Sequence, residues 1–240
     1  MTASTELDLP TGRSLHTYRS VGIACSHGRP IQVSGPGALM TTRTPDDAKQ
    51  RHREILETAA RLICARGYEA TSIQDIADAC GLTKAGLYHH IESKEHLLLE
   101  IMNYGMDVFE EQVLSQVESI ADPVERLRMC MEKNILLVTR GWSKEVTIIL
   151  HEHATLQGRA RNQIDARKKK YVRFLEKTIG EAVKAGKARP VNTTVATFAF
   201  LGMVLWIYKW YRKDGAVPDT AIARGMVDLF LHGLVPVEAR

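Results

Sequence analysis

Residues 71–94 read TSIQDIADACGLTKAGLYHHIESK, and the punctuation of this stretch decides the fold. Ser72 with Asp75 three residues later makes a capping box, Thr83 offers a second N-cap and Ser93 a third, so helices are predicted to open at each. Gly81 supplies a tight turn between the first two, which gives a helix-turn-helix arrangement. Ile73, Ile76, Ala77 and Leu87 form its small core, and Ala77 is small enough to let the second helix cross closely. Thr83, Lys84, Ala85 and Gly86 then occupy the first turn of the second helix, where short side chains let a backbone sink into a major groove with base edges in reach. Tyr88, His89 and His90 supply phenol and imidazole donors for phosphates, and Lys94 adds its charge to the amide dipole of the next helix. The same periodicity also describes an ordinary helical hairpin inside a core, so spacing alone does not select DNA.

Working outward, Thr44-Pro45-Asp46-Asp47 offers a cap, a proline at the first helical position and acids in the first turn, and Gly67 provides a stop. Ile55, Ala59, Leu62 and Ile63 make one apolar face between them. After Ser93, Leu97, Ile101, Tyr104 and Val108 recur at steps of four, three and four, and Asp122-Pro123-Val124-Glu125 opens another helix. Further helices are expected over 142–153, 157–185, 191–213 and 218–234. No period-2 run with hairpin chemistry interrupts them, so the chain is predicted to be all-α. The expected division is an N-terminal extension at 1–44, a three-helix helix-turn-helix domain at 45–92 and a larger helical domain at 93–240. The extension is rich in Ser, Thr, Gly and Pro, which predicts disorder, and Met40 raises the expectation that upstream residues come from a misplaced start codon.

At residues 71–97 the resemblance becomes specific: T-S-I-Q-D-I-A-D-A-C-G-L-T-K-A-G-L-Y-H-H-I-E-S-K-E-H-L resembles the DNA-binding domain of TetR/AcrR-type repressors, over about residues 46–100. The resemblance implies an all-helical homodimer with one recognition helix per subunit and a larger C-terminal domain that binds a small inducer. Carried over by position, it implies that Thr83, Lys84, Ala85, Gly86 and Tyr88 face DNA, with His89, His90 and Lys94 on the backbone; Ser72 completes the candidate set. Ile91 departs from the family's usual Phe, a change of packing.

Composition narrows the remaining classes. The 240 residues are 45% hydrophobic and 25% charged, which excludes disorder as the main state. Cys25, Cys64, Cys80 and Cys130 form no C-x-x-C pair and have no matching His spacing, so neither a disulfide framework nor a zinc site is expected, and reduced thiols suit a cytoplasmic chain. The net charge is +4, but it is unevenly placed. Residues 40–99 hold eight Lys and Arg against nine acids, whereas residues 159–190 hold eleven against three. A polyphosphate contact suggested by bulk charge therefore points to the second half.

The apolar run 195–208 is too short for a membrane span, and a helix apolar all round is expected to be buried by its own core and a partner subunit. Phe198, Leu201, Leu205, Phe230 and Leu234 are the candidate dimer seam. In His151-Glu152-His153 the histidines are two apart and point to nearly opposite sides, so they do not share a metal ion; a pocket wall or a satisfied core histidine is expected. Walker loops, nucleophile elbows and G-x-G-x-x-G turns are missing, so no catalytic residue and no cofactor is assigned.

The basic run around Arg167, Lys168, Lys169 and Lys170 reads either as a solvated face or as an anion site. A second resemblance bears on it. The helix beginning Gly141-Trp142, the basic helix and residues 206–215 resemble the branch of TetR-type repressors that responds to acyl-CoA thioesters. That resemblance implies an effector site with candidates Trp142, His153, Arg167, Lys168, Lys169, Trp206 and Trp210. Coenzyme A presents phosphates that suit clustered Lys and Arg, and an acyl chain that suits an apolar tunnel. The expected function is a cytoplasmic, homodimeric repressor that binds a near-palindromic operator and is released by a small anionic effector. The rival is an all-α enzyme acting on a CoA thioester through Glu152 and His153.

Overall fold

The computed structural model describes residues 45–232, so the expectations for residues 1–44 and for Leu234 lie outside the described residues. Every regular element within that range is helical. α1 (Pro45–Arg66) carries Asp46 and Asp47 at its positive end, and it stops where Gly67, at φ +85°, donates its N–H to the Ile63 carbonyl at 2.8 Å. α2 (Ile73–Ala79) has the expected capping box: the Ser72 hydroxyl accepts from the Asp75 N–H at 3.1 Å and the Asp75 carboxylate accepts from the Ser72 N–H at 2.8 Å. Gly81, at φ +65°, turns the chain into α3 (Lys84–Tyr88), which Thr83 caps. Ser93 caps α4 (Lys94–Phe109).

Beyond this point the helices are less regular than their periodicity suggests. α4 continues through a π turn, Glu110–Leu114, into the short α5 (Ser115–Val117). α6 (Pro123–Leu137), capped by Asp122, runs into a second π turn, Val138–Trp142, where Gly141 adopts φ +146° before α7 (Ser143–His151). A 3₁₀ turn (His153–Thr155) leads to α8 (Gly158–Lys184). The single helix expected over 191–213 is instead α9 (Thr193–Leu205) and α10 (Ile207–Trp210), and Tyr211 leaves the helix. No proline forces that break. The turn tightens at Trp206, whose carbonyl accepts the Lys209 N–H three residues on at 3.1 Å, and the change of phase buries Ile207 completely. α11 (Asp219–His232) closes the described chain.

Two apolar clusters hold these helices. The first joins Ile55, Ala59 and Ile63 of α1 to Ile76 and Ala77 of α2, Leu87 of α3 and Leu97, Leu98 and Ile101 of α4. It also takes in Ile148 and Ile149 of α7 and Ile164 of α8, so the helix-turn-helix core is continuous with the second half. The second gathers α6, α8, α9 and α11 around Leu127, Ile135, Leu175, Phe200, Val204 and Val227. Each such aliphatic side chain contributes about 1.5–3 kcal/mol on burial. The stretch Thr193–Trp210 is long and apolar enough to cross a membrane by composition. Here it is interrupted at Trp206 and packs Thr197, Phe200, Leu201 and Val204 inward.

Candidate nucleic-acid interface and effector cavity

The structure brings the candidate DNA-contacting residues to one end of the chain. Ser72, Thr83, Lys84, Ala85, Tyr88 and His89 are exposed, Tyr88 at 46% although it is a large aromatic. Two of them are partly occupied by the fold itself: Thr83 accepts the Gly86 N–H at 3.0 Å, and the Ser72 oxygen is held in its capping box. Gly86 is tight, since a Cβ there would stand 3.2 Å from the Thr83 hydroxyl oxygen. Lys94 is half-buried with its ammonium 4.1 Å from the centre of the Tyr68 ring, a cation–π contact that holds it near the start of α4. Arg51 of α1 donates to the Cys80 carbonyl at 2.6 Å, which ties α1 to the turn before α3. His52 and Glu100 meet at 3.0 Å and tie α1 to α4.

The second feature is a cavity of about 550 Å³ enclosed by α4, α6, α7, α8 and α9. Both π turns border it, through Glu110 and Leu114 on one side and Trp142 on the other. Its surface is overwhelmingly apolar, with Met106, Phe109, Leu137, Val146, Ile149 and Leu150 among its walls. The polar groups facing it are few and mostly paired. Tyr171, half-buried and with its ionisation pushed up by desolvation, accepts the Asn134 amide at 2.9 Å. His151 bonds the Tyr208 hydroxyl. Arg167 bridges Asp107 at 2.6 Å, Glu110 at 3.2 Å and the Asn103 carbonyl at 3.2 Å. Glu145 alone among these keeps a buried oxygen, Oε2, without a hydrogen-bond partner among the described residues.

Of the effector candidates, Trp142, Arg167, Lys168 and Trp206 line the cavity, while His153, Lys169 and Trp210 do not. His153 is paired with Asp165 at 2.9 Å, and Lys169 is exposed. The basic run therefore divides: Arg167 is a clamp between α8 and α4, Lys168 is half-buried with burial lowering its pKa, and Lys169, Lys170, Arg173 and Lys177 face solvent. Of the candidate dimer residues, Phe198, Leu201 and Leu205 also line the cavity. Phe198 is 57% exposed, whereas Leu201 is buried and Phe230 packs edge-on against Phe200 with ring centres 5.3 Å apart. Glu152 accepts the Tyr68 N–H at 3.2 Å, so the pair an enzyme would use is engaged elsewhere, and neither residue lines the large cavity.

Sequence reasoning missed Gly105, Asn134, Glu145 and Tyr171, which form the inner wall. A signal for Glu145 was present. It lies four residues before Ile149, one turn away on the same helical face as that buried isoleucine.

Residues 55–101 match the family described as bacterial regulatory proteins, tetR family, and residues 121–234 match the tetracyclin repressor-like C-terminal domain. The chain is 30% identical over 200 residues to the HTH-type transcriptional repressor KstR2 of Rhodococcus jostii (strain RHA1), covering 81% of this chain and 98% of the relative. Among solved structures, it is 68% identical to AibR in a crystal structure with isovaleryl coenzyme A and operator DNA, with a TM-score of 0.73 over 75% of this chain and 98% of the other. It is 35% identical to the TetR family regulator PfmR from Thermus thermophilus, with a TM-score of 0.70 over 75% and 98% of the two chains.

Proposed function

The chain belongs to the TetR family of bacterial transcriptional regulators, and from that premise we propose that it is a homodimeric repressor whose operator is released by an acyl-CoA thioester. The observation that carries the reading is an apolar cavity of about 550 Å³ in a chain 68% identical to a regulator crystallised with isovaleryl coenzyme A and operator DNA. That volume lies within the range of about 300–1,000 Å³ usual for ligand sites. The acyl group and its thioester belong against the buried wall of α4 and α7, while the nucleotide end of coenzyme A stays toward the exposed residues Gly202 and Trp206.

In this reading Lys84, Ala85, Gly86 and Tyr88 enter a major groove, and Thr83 sets the start of the recognition helix while its hydroxyl caps it. Two copies present two such helices to half-sites about one helical turn apart, which requires a near-palindromic operator. The protein acts in the cytoplasm, has no catalytic residue and uses no cofactor. Residues 1–44, 45–92 and 93–240 divide into an extension, the DNA-binding domain and the effector and dimerisation domain.

The test is retention of promoter DNA by the full chain, followed by fluorescence anisotropy as ligand is added. Isovaleryl-CoA should release the DNA, whereas isovalerate and free coenzyme A should not. Release by free isovalerate at the same concentration, or retention under every acyl-CoA tried, refutes the thioester reading and leaves the DNA-binding reading standing.

A further inference from the structure

Exposure gives the cavity a direction. Gly202 on α9 and Trp206 just past it are exposed in the single chain, as is Phe198, a candidate dimer residue, whereas Gly105, Glu145 and Ile149 are buried. Two carboxyl groups line the space. Glu110 is held by Arg167 at 3.2 Å and so has its counter-charge. Glu145 is 7% exposed, and its Oε2 has no hydrogen-bond partner among the described residues. Its immediate surroundings are the Gly105 backbone of α4 and the side chain of Ile149 one turn on, with Trp142 and Val146 beside it on the wall. A buried polar oxygen left without a partner costs free energy that folding alone does not recover, unless a bound ligand supplies the missing hydrogen bond.

The groups that face Glu145 from each neighbouring element set its protonation. Lys144 lies beside it on α7, Glu57 and Cys64 approach from α1, and Tyr104, with Arg53 of α1 stacked over its ring at 5.8 Å, approaches from α4. Arg167 and Lys168 of α8 line the same cavity. Burial is the largest influence and raises the carboxyl pKa, and Glu57 adds to it; the residue's own backbone N–H and Lys144 oppose. Burial in an apolar wall favours the acid form of a carboxyl, and in that form it is a hydrogen-bond donor.

We propose that Glu145 is the polar anchor of the effector site and donates a hydrogen bond to the thioester carbonyl oxygen of the bound acyl-CoA. The inference rests on the acyl-CoA reading above and names the atom that reading leaves open. The thioester carbonyl is the acceptor that stands where the acyl chain begins, and the enclosed end of the cavity is where an acyl chain buries its apolar surface. The same anchor discriminates against the free acid. A carboxylate placed there would bring a negative charge into the apolar wall beside Glu145, and the Arg167 guanidinium is already engaged by Asp107 and Glu110.

The test compares isovaleryl-CoA with its thioether analogue S-(3-methylbutyl)-CoA, which keeps the shape and removes the carbonyl, by calorimetry on the full chain. The unaltered protein should bind the thioether roughly tenfold more weakly, the worth of one hydrogen bond to a buried group. Glu145→Gln, whose amide still donates, should keep that preference to within about threefold, and Glu145→Leu should bind the two ligands equally. Melting curves verify that each variant is folded, and the ligand comparison on the unaltered chain does not depend on either. Equal binding of thioester and thioether by the unaltered protein, with the thioester still releasing operator DNA, overturns the anchor and leaves the acyl-CoA reading intact. Failure of a folded, operator-binding protein to bind either compound overturns both. A Glu145→Leu variant that still prefers the thioester tenfold also overturns the anchor.

Discussion

Gly105→Ala tests a close helix crossing against helix propensity. A Cβ at Gly105 would stand 2.9 Å from the Glu145 Cβ and 3.3 Å from the Ile149 Cδ1. Carbon atoms rest at about 3.5–4.0 Å, so α7 must retreat from α4 by roughly 0.6–1 Å or the methyl cannot be seated. Both obstructing atoms belong to buried residues, and one is a Cβ that no rotamer change moves. Overpacking of this kind costs about 1–3 kcal/mol. The substitution also gains about 0.5–1 kcal/mol from replacing glycine inside a helix. The crossing should win, with a net loss of about 1–2 kcal/mol, or about 3–6 °C in Tm for a chain of this size. Gly180→Ala is the control, because its Cβ would meet only the Thr193 Cγ2 at 3.9 Å and should therefore stabilise α8 by the propensity term alone. Urea and thermal unfolding of the two variants measure both signs. A Gly105→Ala protein as stable as the Gly180→Ala protein would show that α4 and α7 separate without cost, and the argument for a rigid inner wall would fail.

Four further outcomes are expected at other positions. Arg167→Ala should lower the urea midpoint by an amount equivalent to about 1–3 kcal/mol, because Asp107, Glu110 and the Asn103 carbonyl lose one bridging guanidinium; Arg167→Lys should restore little of it, since an ammonium cannot span three acceptors in a plane. The raised pKa of Glu145 means that the folded chain holds its proton more tightly than the unfolded chain does. That stabilisation is complete below the unfolded value and is lost as pH rises through the folded one, so Glu145→Gln should gain in Tm over the parent as pH rises above the ordinary carboxyl range. Ala85→Glu, on an exposed position of α3, should cut operator affinity at least tenfold with Tm unchanged, and Lys84→Ala should reduce the salt slope of binding by about one; gel shifts at several salt concentrations check both.

The N-terminal third was legible because its signals are local. Ser72, Thr83 and Ser93 each cap the helix that follows them, and Gly67 and Gly81 adopt the positive φ that their positions as stops require. The second half carries weaker punctuation. Neither π turn has a proline to announce it, and the break at Trp206 follows from what the surroundings bury, not from a local signal. α9 shows the limit most clearly: an all-apolar helix has no polar face to orient it, so Phe198, Leu201 and Leu205 read as a dimer seam while the fold also turns them toward the cavity. The basic run divides in a way that composition does not show: Arg167 and Lys168 line the cavity while Lys169 and Lys170 are exposed. Charge counting cannot see that Arg167 is already spent on Asp107 and Glu110, about 60 residues earlier in the chain. Glu145 follows a lysine at the start of a short helix, which weakens the signal of the buried Ile149 one turn on, and its burial is completed by α1 and α4.

A ligand shifts operator affinity only through contacts that differ between the two states of the protein, and α7 is where such a difference has to pass. It spans nine residues and has two working faces. Glu145, Val146, Ile149 and Leu150 line the cavity. On the other side, the Lys144 carbonyl accepts from the Cys64 thiol at 3.4 Å, Ile148 packs into the core of the helix-turn-helix, and Glu152, just past the helix, accepts the Tyr68 N–H at 3.2 Å. α1 is thus held by α7 near its C-terminal end, at Cys64 and at Tyr68 just beyond, and it is held to the recognition turn by Arg51 near its start. A ligand that rolls α7 by a fraction of a turn cannot leave α1 in place, because Ile148 is fully enclosed and close-packed cores do not deform continuously. Any such displacement would pass to α1 through Ile148, Cys64 and Tyr68, and from α1 to the turn before α3 through Arg51. Only about 1–3 kcal/mol of preference between the two states is needed to change operator affinity by roughly 5- to 150-fold, and one hydrogen bond at Glu145 together with the acyl chain's burial is of that size.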